Sequence, residues 1–166
     1  MITLDALKKE VSYDPITGLF KRLKTHRSVK KGDIAGTVCT LSNHSKKYIK
    51  LSVLGKYYKA HRLAWFYMTG QFPSGEIDHI NQDSLDNRWV NLRDCTRQEN
   101  CKNLKRYVNN SSGSTGISQR PSGKWRARIH HKGKHINIGH YDSYDDAVAA
   151  RNLMEKELGF HENHGK

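Results

Sequence analysis

Between Glu76 and Asn103 the chain reads EIDHINQDSLDNRWVNLRDCTRQENCKN, a stretch in which a carboxylate, an imidazole and several amides recur at spacings suited to hydrolysis. Glu76 to Ile80 alternates as a strand does, so the neighbours Asp78 and His79 point to opposite faces and serve different ends. A second run, Asn91 to Cys95, can pair back on the first. Thr96-Arg97-Gln98-Glu99 has the form of a capping box and opens a helix carrying Asn100 and Asn103. In the resulting strand, loop, strand and helix, a carboxylate on one strand and an amide oxygen on the helix can hold one hard cation. That cation keeps its other positions for water and phosphate oxygens, which is the chemistry of Mg²⁺. His79 can take a proton from water near neutral pH once a backbone or amide oxygen fixes its tautomer, and it is the candidate general base. Asp-His pairs and Asn-rich stretches also occur in plain turns. The downstream amides at helical placement favour a site.

The elements that must position these groups are short. Residues 3 to 11 form a helix capped by Thr3, Tyr13 to Gly18 a turn, and Gly18 to Leu23 a strand. Further strands fall in Asp33 to Leu41 and in a hairpin around Gly55, Tyr48 to Leu54 and Lys56 to Ala60, making a small basic β layer. Leu63, Trp65, Phe66 and Met68 crowd a helix that ends at Gly70, with His61 at its start in a supporting role. Residues 104 to 114, rich in Asn, Ser and Gly, read as a basic linker. Beyond it, Thr115 to Gln119, Lys124 to His131 and Lys134 to Tyr141 read as three strands, and Ser143 to Leu158 as a helix. Trp125, Ala127 and Ile129 share one face with Ile136 and Ile138, to be covered by Ala147, Ala150, Leu153 and Met154. The opposite face carries Arg126, Arg128, His130, His135, Asn137 and Gly139. The expected architecture is α+β, with a catalytic domain over 1–103, the linker over 104–114 and a sheet-plus-helix domain over 115–166.

Net charge is +13 over 166 residues, and it is laid down in blocks. Between Pro15 and Gly75 the only acid is Asp33 against twelve Lys or Arg; between Asn100 and Tyr141 there are nine and no acid. Such a surface attracts a polyanion and releases counterions on docking, the footprint of nucleic-acid binding. Lys46, Lys47, Lys50, Lys56, Lys59 and Arg62 are expected to meet phosphate. Three cysteines with no close pair argue against disulfides, and the absence of CxxC argues against structural zinc. No run is long enough for a membrane span and no apolar signal region opens the chain, so a cytoplasmic monomer with double-stranded DNA as partner is expected.

Two resemblances sharpen this reading. Ala60-His61-Arg62-Leu63-Ala64-Trp65, Ile77-Asp78-His79-Ile80-Asn81, Asp86-Asn87-Arg88-Trp89, Asn91-Leu92-Arg93 and Glu99-Asn100 with Asn103 resemble an HNH homing endonuclease of the kind found in phages and group I introns, with the ββα-metal fold. The resemblance spans residues 12 to 103. It implies that His79 activates water, that Asn91 ties the loop across the finger, and that Asp78 and Asn100 hold the metal. Many members carry His at the last motif position. Asn100 there suits Mg²⁺ or Mn²⁺ better than Zn²⁺.

In the C-terminal part, Gly116-Ile117, Arg120-Pro121, Gly123-Lys124-Trp125-Arg126-Ala127-Arg128-Ile129, Ile138-Gly139-His140-Tyr141 and Asp146-Ala147 resemble the plant ethylene-response-factor type of DNA-binding domain. That likeness implies DNA-reading positions at Ser118, Arg120, Ser122, Arg128 and His130, then His135 and Asn137. Ser118 stands where the plant pattern has Arg, and Ser122 where it has Trp. The expected function is a site-preferring, metal-dependent DNA endonuclease, with Arg62 and Arg93 as phosphate clamps and Lys105 and Arg106 following the backbone. The alternatives are a non-cleaving DNA-binding regulator and a nuclease acting on RNA.

Overall fold

A computed structural model describes residues 2–26, 29–40 and 47–166; Leu41 and Lys46, placed above in a strand and among the phosphate contacts, lie outside them. The chain divides into two compact units, Met1–Thr96 and Arg97–Lys166. It is mixed α and β, with four α-helices and small antiparallel sheets among the described residues.

The first unit opens with α1 (Leu4–Glu10), whose Thr3 hydroxyl accepts the Ala6 N–H at 3.2 Å and satisfies a donor the helix itself leaves over. Strands β1 (Val11–Tyr13), β2 (Phe20–Arg22) and β3 (Ile34–Ala35) form one sheet, and β4 (Thr37–Thr40), β5 (Lys47–Val53) and β6 (Lys56–Lys59) a second. Arg22 joins them by donating to the Ser52 carbonyl at 2.8 Å. Helix α2 (Ala60–Thr69) stops at Gly70, which takes the left-handed conformation and returns its N–H to the Phe66 carbonyl. Leu7, Val11, Phe20, Leu51, Val53, Leu63 and Phe66 from these elements make one core, which reaches Ile77 and Leu92 of a third sheet. That sheet is the pair β7 (Glu76–His79) and β8 (Leu92–Cys95). Two strands of this length are marginal by themselves, so the pair depends on this core.

Asn91, expected to open the second strand, lies instead in a 3₁₀ turn (Trp89–Asn91) ahead of β8. Closing the loop needs its carboxamide turned inward. Helix α3 (Arg97–Cys101) is shorter than expected and belongs to the second unit; Asn100 is on it, while Asn103 falls past its end, its N–H on the Asn100 carbonyl.

In the second unit, β9 (Ile117–Gln119), β10 (Trp125–His131) and β11 (Lys134–Tyr141) form a sheet in the order β11-β10-β9, packed on α4 (Tyr144–Glu157). Ser143 caps α4, accepting the Asp146 N–H at 3.0 Å and donating to its carboxylate at 2.7 Å. Two expectations need correction. A bulge shifts the register between Ala127 and Arg128, so Ala127 pairs with Gly139 while Arg128 pairs with Asn137. Gly139 therefore joins the inner face, and His140, opposite Arg126, joins the basic one. Leu153 is 60% exposed, because the inward stripe of α4 runs through Ala147 and Arg151.

Arg151 is 4% exposed, and its guanidinium sits 2.8 Å from the Glu155 carboxylate, which in turn lies 3.9 Å from the His164 imidazole. Burial, with the Arg151 charge beside it, pushes the His164 imidazole down to about 4, and burial pushes the Glu155 carboxyl up. An imidazole depressed in the fold costs nothing above its unfolded value near 6.5; the unfolded chain takes up the proton first as pH falls, so stability drains between about 6.5 and 4. Raised Glu155 acts in the opposite sense, so the two are separated by substitution. Thermal melts of the wild type should lose more stability from pH 7 to pH 4.5 than those of His164→Leu; parallel curves would contradict the buried-imidazole assignment.

Candidate active site

The site is built on β7 and β8, whose register sets Asp78 opposite Arg93 and His79 opposite Leu92. Strand alternation sends Asp78 and His79 to opposite faces, and both are buried. Arg93 donates from Nε to Asp78 Oδ2 at 2.8 Å, and its Nη2 lies 2.7 Å from the same oxygen. The way into β7 is clamped as well. Asp94 accepts the Ser74 N–H, the Ser74 hydroxyl and the Gly75 N–H, each at 2.9 Å, and Arg62 donates to the carbonyls of Gly75 and Pro73. Arg62, expected as a phosphate clamp, is thus engaged with its own chain.

The loop from Ile80 to Asn91 is closed by side chains. Asn91 accepts the Asn81 N–H at 2.9 Å and donates to the Asp86 carbonyl at 2.8 Å. Asp86 takes Asn81 Nδ2 at 2.7 Å and both Nε and Nη2 of Arg88, at 2.8 and 2.6 Å. The Arg88 hydrogen bond holds its carboxyl down at about 2, so the closure stays charged across the neutral range. From outside, the Tyr13 hydroxyl donates to the Asn87 carbonyl at 2.7 Å, and the Trp89 N–H bonds the Pro15 carbonyl at 3.0 Å. At Gly18, with φ +73°, an added Cβ would stand 2.5 Å from the Arg88 nitrogen and the Asn87 carbonyl carbon. The turn from Tyr13 to Phe20 therefore lies directly against the loop.

His79, 6% exposed, meets Asn87, which the sequence did not mark as its partner, and His61, expected in a supporting role. Its Nε2 lies 3.3 Å from Asn87 Oδ1, and its ring stands edge-on to His61 with centroids 5.1 Å apart. Asn87 is 2% exposed and its Nδ2 donates to the Leu85 carbonyl at 3.3 Å, which turns the amide oxygen toward His79. An amide oxygen can only accept, so a neutral His79 ring that bonds it does so with the proton on Nε2 and the lone pair on Nδ1. The Asp86-Asn87-Arg88 segment flagged this region, but Asn87 acquires its place only when the loop folds back.

Of the remaining expected residues, Asn100 is in the second unit with Lys105, Arg106 and the sheet positions. Arg106 donates to the Gly113 carbonyl, and Lys105 is exposed. Ser118, Arg126, Arg128, His130, His135 and Asn137 share one face, where Arg126 reaches Ser118 Oγ at 3.4 Å and the rings of His130 and His135 are 4.8 Å apart. Arg120 and Ser122 are exposed at the β9–β10 turn.

The HNH endonuclease family matches residues 58–102, from β6 through the loop to the end of α3. Protein 3.8 of Escherichia phage T7 is 34% identical over 88 residues, covering 50% of this chain and 73% of its own length. The chain belongs to the protein 3.8 family. Its HNH endonuclease domain contains the His79 and Asn91 geometry just described. No solved structure matches the chain.

Removing the Asn91 carboxamide takes the partners from a part-buried N–H and a part-buried carbonyl, at about 1 kcal/mol each. Asn91→Ala should therefore lower the unfolding free energy by roughly 2 kcal/mol, measured by urea denaturation. Asn91→Asp, which keeps the acceptor, should lose less; equal losses would show that the Asn81 contact contributes nothing.

Proposed function

We propose that the chain is a metal-dependent endonuclease that hydrolyses phosphodiester bonds in duplex DNA, with His79 as the general base. The observation that carries this is the orientation of His79: Asn87 fixes Nε2 as the donor and leaves Nδ1 as the basic nitrogen. In the reaction His79 takes a proton from water, the water oxygen bonds to phosphorus, the bond from phosphorus to the 3′ oxygen breaks, and that oxygen takes up a proton from solvent.

The donors suit a hard cation. Among the described residues no group of three His, Cys, Asp or Glu gathers at metal-binding range. The buried Asp78 carboxylate would be an oxygen ligand of the kind Mg²⁺ or Mn²⁺ accepts, and the family resemblance implies the Asn100 amide as another. When bound, the cation supplies charge stabilisation at the phosphate and the leaving oxygen. Arg93 holds Asp78 by a charged contact that fixes the carboxylate rotamer. The C-terminal sheet is the sequence reader. Its face of Arg126, Arg128, His130, His135, Asn137 and His140 supports base-edge contacts, and Arg120 and Ser122 extend it at the turn. Site preference rests on that sheet, and Lys105 and Arg106 add sequence-independent phosphate contacts.

His79→Ala should lower the rate of plasmid cleavage in Mg²⁺ by about 10² to 10⁴ while leaving affinity for DNA nearly unchanged. Wild-type cleavage by that variant sinks the assignment, and cleavage that persists in a chelator sinks the metal requirement. On one long DNA, Arg128→Ala should redistribute cleavage sites relative to the wild type. An unchanged site map would remove the sheet from sequence reading.

A further inference from the structure

The outer face of the sheet β4-β5-β6 has no part in the site above. Its inner face gives Leu51 and Val53 to the core, so by alternation Lys50 and Ser52 of β5 point outward, together with their cross-strand partners Thr37, Tyr57 and Lys59. Tyr48 and Cys39 extend the same face. Between Ile34 and Gly75 the sequence has no acid at all.

Two features make this more than a solvated surface. Lys50 and Lys59 are direct cross-strand neighbours, and like charges so placed destabilise a sheet. A local rule broken at a cost to the sheet is expected where function requires it. Each ammonium is also held over a ring, Lys50 at 4.1 Å from the Tyr57 centroid and Lys59 at 5.3 Å from that of Tyr48. Tyr57 is 67% exposed, so these contacts fix the lysines on an open surface rather than bury them. Ser84, in the loop between Asp78 and Asn91, donates to the Lys47 carbonyl and so fastens β5 to the catalytic loop.

We propose that the outer face of β4-β5-β6 is a docking surface for the phosphate backbone of duplex DNA beside the cleavage site. Phosphate is favoured over unpaired bases because a lysine ammonium already lies over one face of each ring, where it competes with a stacking base and offers charge to a phosphate. A second copy of this chain is disfavoured by its own charge of +13. The choice of DNA as the polyanion rests on the nuclease reading, whereas the surface itself is tested without cleavage.

The experiment measures binding of labelled duplex and single-stranded DNA to the full chain carrying His79→Ala, in chelator, across a salt series. Adding Lys50→Gln and Lys59→Gln should weaken duplex binding and flatten the slope of log affinity against log salt by about 0.9 for each phosphate left without its lysine. Thr37→Lys, which adds a cation beside Lys50, should steepen it. Unchanged duplex affinity and slope in both variants overturns the proposal, and so does a larger loss on single strands than on duplex. Thermal melts of the same variants check the fold, and because Thr37→Lys is read as a gain, misfolding cannot imitate its expected result. Loss of cleavage by wild-type protein would count against the nuclease reading alone.

Discussion

The Asn91 carboxamide bonds the Asn81 N–H at one end of the loop from Ile80 to Asn91 and the Asp86 carbonyl further along it, and the rest of the candidate site depends on that closure. A two-stranded sheet offers few hydrogen bonds of its own, so a loop as long as Ile80 to Asn91 would otherwise be free to move Asn87 away from His79. Asn91 fixes the path and Asp86 with Arg88 reinforces it by charge. Tyr13 and Gly18 then seat the loop on the N-terminal turn. The imidazole inherits its tautomer from this chain of constraints rather than from any one neighbour in sequence.

The chemistry is divided accordingly. On one face of β7, the Asp78 carboxylate is held by Arg93; on the other, His79 faces an amide oxygen and a second imidazole. Period-2 alternation alone separates the acid from the base by the thickness of a strand, which keeps the imidazole from forming an ion pair with its own neighbour. The core formed by α1, α2 and the first two sheets contributes rigidity to both.

Much of this was legible in the residues. Alternation through Glu76 to Ile80 placed Asp78 and His79 correctly on opposite faces, and Thr3, Gly70 and Ser143 marked helix ends by capping chemistry that acts locally. What escaped depended on distant contacts. Asn91 stands at the head of the run that pairs as a strand, but closing the loop draws it into a 3₁₀ turn. Asn87 owes its role to a carbonyl held by Tyr13, far away in the chain. In β11, Ile136 and Ile138 fit an unbroken strand, and the bulge that moved His140 to the basic face left only Gly139 as a sign: a Cβ there would crowd the Tyr141 ring. Leu153 looked like a core residue by type, but the stripe of α4 passes through Arg151 instead.

Everything in the site converges on a folded loop that presents His79 with its proton on Nε2 and its lone pair on Nδ1. Nitrogen-15 chemical shifts of the imidazole, from long-range proton–nitrogen correlation spectra of the intact protein near pH 8, measure that tautomer directly. The expected spectrum shows a protonated Nε2 and an unprotonated Nδ1 at His79, with the bias absent in Asn87→Ala. A proton found on Nδ1 in the wild-type protein would contradict it.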